Sequence, residues 1–101
     1  MLPVDGLLTV ARKVLYTVPP GKSATIQLVA IVNQDPTAHR RFTLYAKVGG
    51  TPRPISAMKT VLKIGSKAEE DIPFQLAAGD TIEAEADRDS LLSFCVFGEE
   101  I

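Results

Sequence analysis

Several residue types are scarce in this chain, and each shortage excludes a class of protein. Its 101 residues include no tryptophan, one cysteine and one histidine. A single cysteine, Cys95, rules out an intrachain disulfide, and without a tryptophan the antibody type of immunoglobulin domain is excluded as well. A catalytic pair of Cys95 and His39 would need an acid to orient the base, and His39 has no acidic neighbour in the sequence. We therefore expect a protein that is not an enzyme.

Neither sign of charge is in excess, since 11 lysine and arginine residues face 12 aspartate and glutamate residues. Nucleic-acid-binding proteins normally carry a basic surplus on one face. The one basic cluster, residues 39–41, alternates between the two faces of a strand. No apolar run reaches the roughly 18 residues of a membrane-spanning helix, and residues 1–6 do not resemble a signal peptide. We expect a soluble protein, made in a cytoplasm, that binds neither nucleic acid nor membrane.

Short apolar segments with an alternating pattern make up most of the chain. Seven or eight of them follow one another at intervals near ten residues, separated by glycine, proline and Asx turns. This pattern predicts an all-β fold, an antiparallel β-sandwich of 7–8 strands with a jelly-roll or immunoglobulin-like topology. Because Pro3 and Gly6 interrupt regular structure, residues 1–6 are predicted to be a flexible N-terminal arm before a single domain over residues 7–101.

Residues 14–33 give the clearest local prediction. Two apolar runs flank Pro19-Pro20-Gly21-Lys22, in which Pro20 and Gly21 suit the two central positions of a type II turn. We predict a strand, a turn and a second strand that together form a hairpin. In the second strand the alternation places two groups of side chains on opposite faces: Ala24, Ile26, Leu28, Ala30 and Val32 on one, and Thr25, Gln27, Val29, Ile31 and Asn33 on the other.

Three other segments carry weaker predictions. Residues 49–54 contain two glycines and two prolines, which predicts a loop. Residues 56–64 fit a helix or a strand, and their β-branched content favours the strand. Pro73 interrupts a predicted strand over residues 68–76, which places that strand at a sheet edge or at a bulge.

Acidic residues do not form a recognisable metal-binding motif. Glu83, Glu85 and Asp87 share one face of a predicted strand, and nothing in the sequence matches the loop pattern of a calcium site. A solvated outer face explains them, and it would also discourage pairing between sheet edges. We therefore expect no metal and no other cofactor.

Two patterns in the sequence suggest ligand binding. The run Gly21-Lys22-Ser23 matches the end of a phosphate-binding loop, but the upstream glycine position is Tyr16, and a strand rather than a helix follows. Tyr45, on the polar face of its predicted strand, and also Phe97 are candidate stacking platforms for a sugar. A carbohydrate-binding module is therefore an alternative function.

Three stretches together resemble a group of small tailed-bacteriophage virion proteins. They are Val14–Lys22 with its following strand, Leu76–Ile82, and Phe94–Ile101. The group similarly carries an LYTVPAGK turn, an L-x-A-G-D-x-I turn before the last hairpin and a Gly–acid–Ile ending. Here Pro20 replaces the usual small residue, which suits the same turn. The resemblance covers roughly residues 14–101.

That resemblance implies a β-sandwich structural protein located in the virion. The first hypothesis is a capsid decoration or cement protein that stabilises the shell, and the second is a tail or fibre-attachment accessory. As partners we expect the major capsid protein or other virion proteins and further copies of the chain, in a homo-oligomeric trimer. The candidate interface residues are Leu91, Cys95 and Phe97 on the last strand, or Val29 and Ile31.

Overall fold

Two five-stranded antiparallel sheets form a β-sandwich in the computed structural model, which describes residues 2–54, 60–70 and 74–101. The described residues contain no helix. The ten strands are β1 (Val4–Leu7), β2 (Lys13–Thr17), β3 (Ala24–Asn33), β4 (Arg40–Val48), β5 (Thr51–Pro54), β6 (Thr60–Leu62), β7 (Lys67–Glu70), β8 (Phe74–Leu76), β9 (Thr81–Ala86) and β10 (Leu92–Glu100). The predicted all-β antiparallel sandwich is confirmed, and the described residues contain ten strands where 7–8 were predicted.

Strands distant in sequence are neighbours in both sheets. The first sheet has the order β1-β10-β3-β7, with β8 also paired to β3. The second sheet has the order β2-β9-β4-β5, with β6 also paired to β4. Strand β10 has apolar residues on both faces and is central in its sheet, since it lies between β1 and β3.

The core lies between the two sheets and is built from alternate residues of the long strands. Alternate residues of β4, β9 and β10 face this core and are buried: Phe42, Leu44, Ala46, Ile82, Ala84, Ala86, Leu92, Phe94 and Val96. Val48, which continues the same alternation at the end of β4, is 53% exposed. The same buried cluster includes Leu8, Leu15 and Val18, which lie in or next to β1 and β2. Burying apolar side chains in this way drives the two sheets together.

The turn after β2 has the predicted form, but its two strands do not pair. The amide of Lys22 donates to the carbonyl of Pro19 at 3.2 Å, and Gly21 has a φ of 76°, as a type II turn requires. However, β2 pairs with β9 in the second sheet, and β3 pairs with β10 in the first. The turn therefore connects the two sheets, and the predicted hairpin is wrong.

Residues 4–6, predicted to belong to a loose arm, are part of strand β1. This strand pairs with β10 from Val4 opposite Val96 to Leu7 opposite Ser93. Gly6 does not break the strand but lets it pack closely, because a Cβ at this position would lie 3.0 Å from the ring of Phe94. The partner residues on β10 lie roughly 90 positions further along the chain. Pairing over that distance leaves no local pattern in the sequence, so the predicted arm is wrong for residues 4–6.

Residues 51–54, predicted as part of a loop, form strand β5 beside β4. Gly49 and Gly50 have φ values of 66° and 90° and make the two-residue turn between the strands, as in a type I′ hairpin. Two prolines are tolerated because β5 lies at a sheet edge.

Part of the ambiguous segment at 56–64 is strand, as favoured, since Thr60–Leu62 is β6. Residues 55–59 lie outside the described residues, as does Pro73. The strand predicted over 68–76 is present as β7 and β8, which both pair with β3.

Candidate functional site

A β-bulge changes which face of β3 is buried. Val29 and Ile31, proposed as interface residues, are 1% and 0% exposed and belong to the core. The register between β3 and β10 shifts between Phe97 and Gly98, so that Gln27 has no opposite residue. Beyond this point the inward positions change from even to odd numbers, which a strictly alternating pattern does not anticipate. Val29 and Ile31 therefore cannot form the contact surface.

Gly98 makes the bulge possible. A Cβ built at this position would lie 2.2 Å from the carbonyl oxygen of Thr25 on the facing strand. No side chain fits at that distance, so the close approach of β10 to β3 requires glycine. The sequence places Gly98 in a terminal turn motif, and its role as a bulge residue appears only when the facing strand is known.

The side chains left outside on β1, β3 and β10 form a partly apolar surface, which we name the outer face of the first sheet. Its members are Asp5, Leu7, Leu28, Ala30, Val32, Ser93, Cys95 and Phe97. Leu7 is 41% exposed and Phe97 is 39% exposed, while the remaining apolar members are half-buried. Two of the predicted interface residues, Cys95 and Phe97, lie on this face. The alternation in β3 placed Leu28, Ala30 and Val32 opposite to Val29 and Ile31 but did not show which of the two sets is buried.

Leu91, the remaining predicted interface residue, lies just before β10 and is half-buried. Its carbonyl accepts a hydrogen bond from the amide of Gln34 at 2.9 Å, which ties the start of β10 to the end of β3. Leu91 is therefore at the border of the outer face of the first sheet, on the same side of β10 as Cys95 and Phe97.

A shallow groove of about 400 Å³ crosses the outer face of the first sheet. Its lining residues come from β1, β3 and β10 and from the residue that follows β3: Asp5, Gly6, Leu7, Ala30, Val32, Gln34, Ser93, Phe94 and Cys95. It is open to solvent and contains few charged groups, so it is suited to receive part of another macromolecule.

Cys95 lines this groove as a half-buried free thiol. Burial, and then the negative charge of Asp5, raise the pKa of the Cys95 thiol. His39 precedes β4 of the other sheet, and its Nδ1 accepts a hydrogen bond from the amide of Ile64 at 3.1 Å. The structure therefore does not bring the cysteine and the histidine together as a nucleophile and base.

Tyr45 cannot serve as a sugar platform, because its ring is covered. It is 7% exposed, and the guanidinium of Arg12 lies 4.9 Å from the ring centroid. The hydroxyl of Tyr45 donates to Glu85, and this hydrogen bond, with burial, raises the pKa of Tyr45. The geometry thus removes the main residue on which a carbohydrate-binding function rested.

Glu83, predicted to be solvated, is 7% exposed. With Arg12, Tyr45 and Glu85 it forms a polar cluster on the outer side of the second sheet. Its carboxylate accepts a hydrogen bond from Thr81 Oγ1 at 2.7 Å and pairs with Arg12 Nε at 3.2 Å. The groups of this cluster therefore satisfy one another, and they fasten the segment before β2 to the sheet. Among residues 2–54, 60–70 and 74–101, no three His, Cys, Asp or Glu side chains are grouped to hold a metal ion.

A second polar cluster lies at the C-terminal end of β3, where the chain turns towards β4. The carboxylate of Asp35 accepts hydrogen bonds from the amide and hydroxyl of Thr37 and contacts Arg40 at 2.7 and 2.8 Å. The side-chain Nδ2 of Asn33 donates a hydrogen bond to the carbonyl of Leu62 at 2.9 Å, and the side-chain Oδ1 of Asn33 accepts one from the backbone amide of Asp35. These contacts are internal to the fold, so the cluster is structural.

No described segment forms a helix with the length and apolar character needed to cross a membrane. No protein-family model and no curated protein matches the chain.

Two solved structures have a similar fold, and both are crystal structures of a pentameric capsid protein isolated from metagenomic phage sequences, one of them solved by iodide SAD phasing. Their TM-scores are 0.46 and 0.45, with 14% sequence identity and 97% of this chain covered. The alignments cover 59% and 63% of those chains, so this chain spans about three-fifths of their length. At this identity the likeness concerns the fold alone.

Proposed function

We propose that this protein is a non-enzymatic structural component of a tailed-phage virion, which decorates the capsid and stabilises the shell. The observation that carries the proposal is the partly apolar outer face of the first sheet. The resemblance of three sequence motifs to phage virion proteins supports the virion as its location.

The free energy of burying the apolar side chains of this face favours the binding of a partner there. Apolar surface left in water costs roughly 25 cal/mol per Å² relative to burial, and contiguous apolar patches on soluble proteins usually mark interaction sites. Leu7 and Phe97 project from the face, and the side chains between them are half-buried rather than covered. The charged residues of the two clusters described above contact one another within the fold, so neither cluster is a candidate binding surface.

The proposed mechanism is physical. A sandwich with a continuous core docks as a rigid body, and it adds stability to the shell because binding is available only to the assembled lattice. Symmetric association into a trimer would let one particle contact several neighbouring capsid subunits. The partners are then the major capsid protein and further copies of this chain.

The test is co-sedimentation of the purified chain with expanded capsids assembled from the major capsid protein of the same genome. We expect saturable binding and a higher melting temperature of the decorated capsid. Failure to bind capsids would overturn the decoration function, and binding to purified tails instead would establish the alternative role of a tail or fibre-attachment accessory.

The trimer is tested separately by sedimentation equilibrium of the free protein. The chain has a mass of 10.9 kDa, and a trimer has three times that mass. A single species at the monomer mass across the concentration range would contradict the proposed oligomer.

A further inference from the structure

The groove on the outer face of the first sheet is formed by a difference in side-chain size between adjacent strands. Ser93 on β10 lies between Leu7 on β1 and Val32 on β3, with which it is in register. In the next outward row, Cys95 lies between Asp5 and Ala30. Small residues on the central strand thus form a floor, and Leu7 and Val32 stand above it as walls.

The uncompensated charge beside this floor is negative. Asp5 is exposed and in register with Cys95, and the described part of the chain gives it no ion-pair partner. On the far side of Ala30, Glu69 is paired with Lys67 at 3.9 Å. A ligand in the groove therefore meets the carboxylate of Asp5 on the β1 wall, which has no ion-pair partner among the described residues.

We propose that this groove binds an extended segment of a partner protein that has small apolar side chains and one lysine or arginine, which pairs with Asp5. The inference deepens the proposed function and depends on it for the identity of the partner as a virion protein. Three outward rows of β10, from Ser93 to Phe97, span about 14 Å, which is the length of about four residues of extended chain.

The shape and charge of the face argue against a second copy of this chain as the occupant. Two concave faces placed together would leave a void between their floors of Ser93 and Cys95, and voids cost packing energy. The chain's own C-terminal segment carries Glu99 and Glu100, which have the same sign of charge as Asp5.

Pairing along the free edge of β1 is also disfavoured. The carbonyl of Leu7 already accepts a hydrogen bond from Lys13 Nζ at 3.1 Å. A lysine placed at a strand edge in this way hinders the addition of another strand. The open surface of this sheet is therefore its outer face rather than its β1 edge.

The chemistry is tested by NMR titration of the ¹⁵N-labelled protein with the capped pentapeptide Ala-Val-Lys-Val-Ala and with Ala-Val-Glu-Val-Ala as the matched control. We expect amide shift changes confined to β1, β10 and the second half of β3, and binding of the lysine peptide stronger by about threefold, as one partly exposed ion pair provides. Shift changes elsewhere, or equal binding of the two peptides, would overturn the proposal.

Two variants locate the contact. Asp5→Asn should remove the preference for the lysine peptide, whereas Glu99→Gln, which removes an exposed acid outside the groove, should keep it. Ala30→Leu should block both peptides by filling the groove, and protection of Cys95 from alkylation gives a second reading of occupancy.

The same variants separate this inference from the proposed function. If capsids bind the wild type but bind Asp5→Asn and Ala30→Leu equally well, the groove is wrong and the decoration function stands. If capsids bind none of them, the decoration function fails, and the peptide titration still decides the chemistry of the groove.

Discussion

Asp35 fixes the turn between β3 and β4. Hydrogen bonds from the side-chain hydroxyl and the amide of Thr37, and from Arg40, lower the pKa of Asp35 to about 2. This folded-state value lies below the unfolded value of about 3.9. The ionised carboxylate therefore stabilises the fold at pH values above the unfolded pKa, and its contribution is lost as the pH falls through about 2.

Replacing this carboxylate should reduce the acid sensitivity of the protein. We expect Asp35→Asn to be less stable than the wild type at pH 7 and to lose less stability between pH 5 and pH 2, because the titrating group is gone. Urea unfolding at each pH measures both effects. Asp87→Asn, which changes the more distant partner of Arg40 at 3.7 Å, is the control and should retain the wild-type slope. Parallel pH profiles for Asp35→Asn and the wild type would contradict this role.

Gly98 is required by the close approach of β10 to β3. Gly98→Ala should destabilise the fold by about 1–3 kcal/mol, the usual cost of forcing an extra methyl group into packed structure. The added Cβ meets the backbone carbonyl of Thr25, which cannot rotate away as a side chain would. Urea unfolding measures the loss, with Glu99→Ala at the adjacent exposed position as a control expected to change stability by no more than about 0.5 kcal/mol. A Gly98→Ala protein as stable as the wild type would show that the bulge is not needed.

The strands show what local sequence patterns can and cannot predict. Alternation separated the inward from the outward residues of β4, β9 and β10, because each is a long strand with one regular partner register. It failed for β3, where the bulge opposite Gly98 exchanges the two faces. It also missed β1 and the pairing partners of β2, since these depend on residues far away in the sequence.

The candidate surface was predictable only in part for the same reason. Cys95 and Phe97 face outward because their neighbours Phe94 and Val96 belong to the core. The sequence of β10 separates these two sets, but both are apolar, so it leaves open which of them is buried. The rest of the surface comes from β1 and from the second half of β3. The outward-facing residues of β1 and of the second half of β3 follow neither from composition nor from local spacing.

The cluster on the second sheet joins the segment before β2 to β9. Arg12 contacts both the ring of Tyr45 and the carboxylate of Glu83, so its removal leaves a buried carboxylate with fewer partners. We expect a double-mutant cycle of Arg12→Ala and Glu83→Gln to give a coupling energy of about 0.5–1 kcal/mol, kept low because the Arg12 side chain is 42% exposed.

The exposed pair of Lys67 and Glu69 is the control for that cycle. Its atoms are 3.9 Å apart and both side chains are largely solvated, so no measurable coupling is expected. Equal coupling in the two pairs, or additive effects at Arg12 and Glu83, would show that the cluster does not hold this segment in place.

The two sheets carry different features on their outer sides. The outer side of the second sheet carries the internally satisfied cluster of Tyr45, Glu83 and Arg12, and the outer face of the first sheet carries the groove. A protein that acts by docking needs one such surface and a rigid core beneath it. The proposed function therefore depends on a face of the sandwich rather than on a reactive group.

The central claim is that the first sheet, and not the second, makes the contact with the capsid. Capsid co-sedimentation of Phe97→Asp and Val48→Asp tests it, because each variant places an acid at an exposed apolar position, 39% and 53% exposed, on opposite sheets. We predict that Phe97→Asp weakens binding by about tenfold or more, as loss of a buried aromatic contact does, while Val48→Asp binds like the wild type. Wild-type binding by Phe97→Asp, or a loss confined to Val48→Asp, would contradict the account.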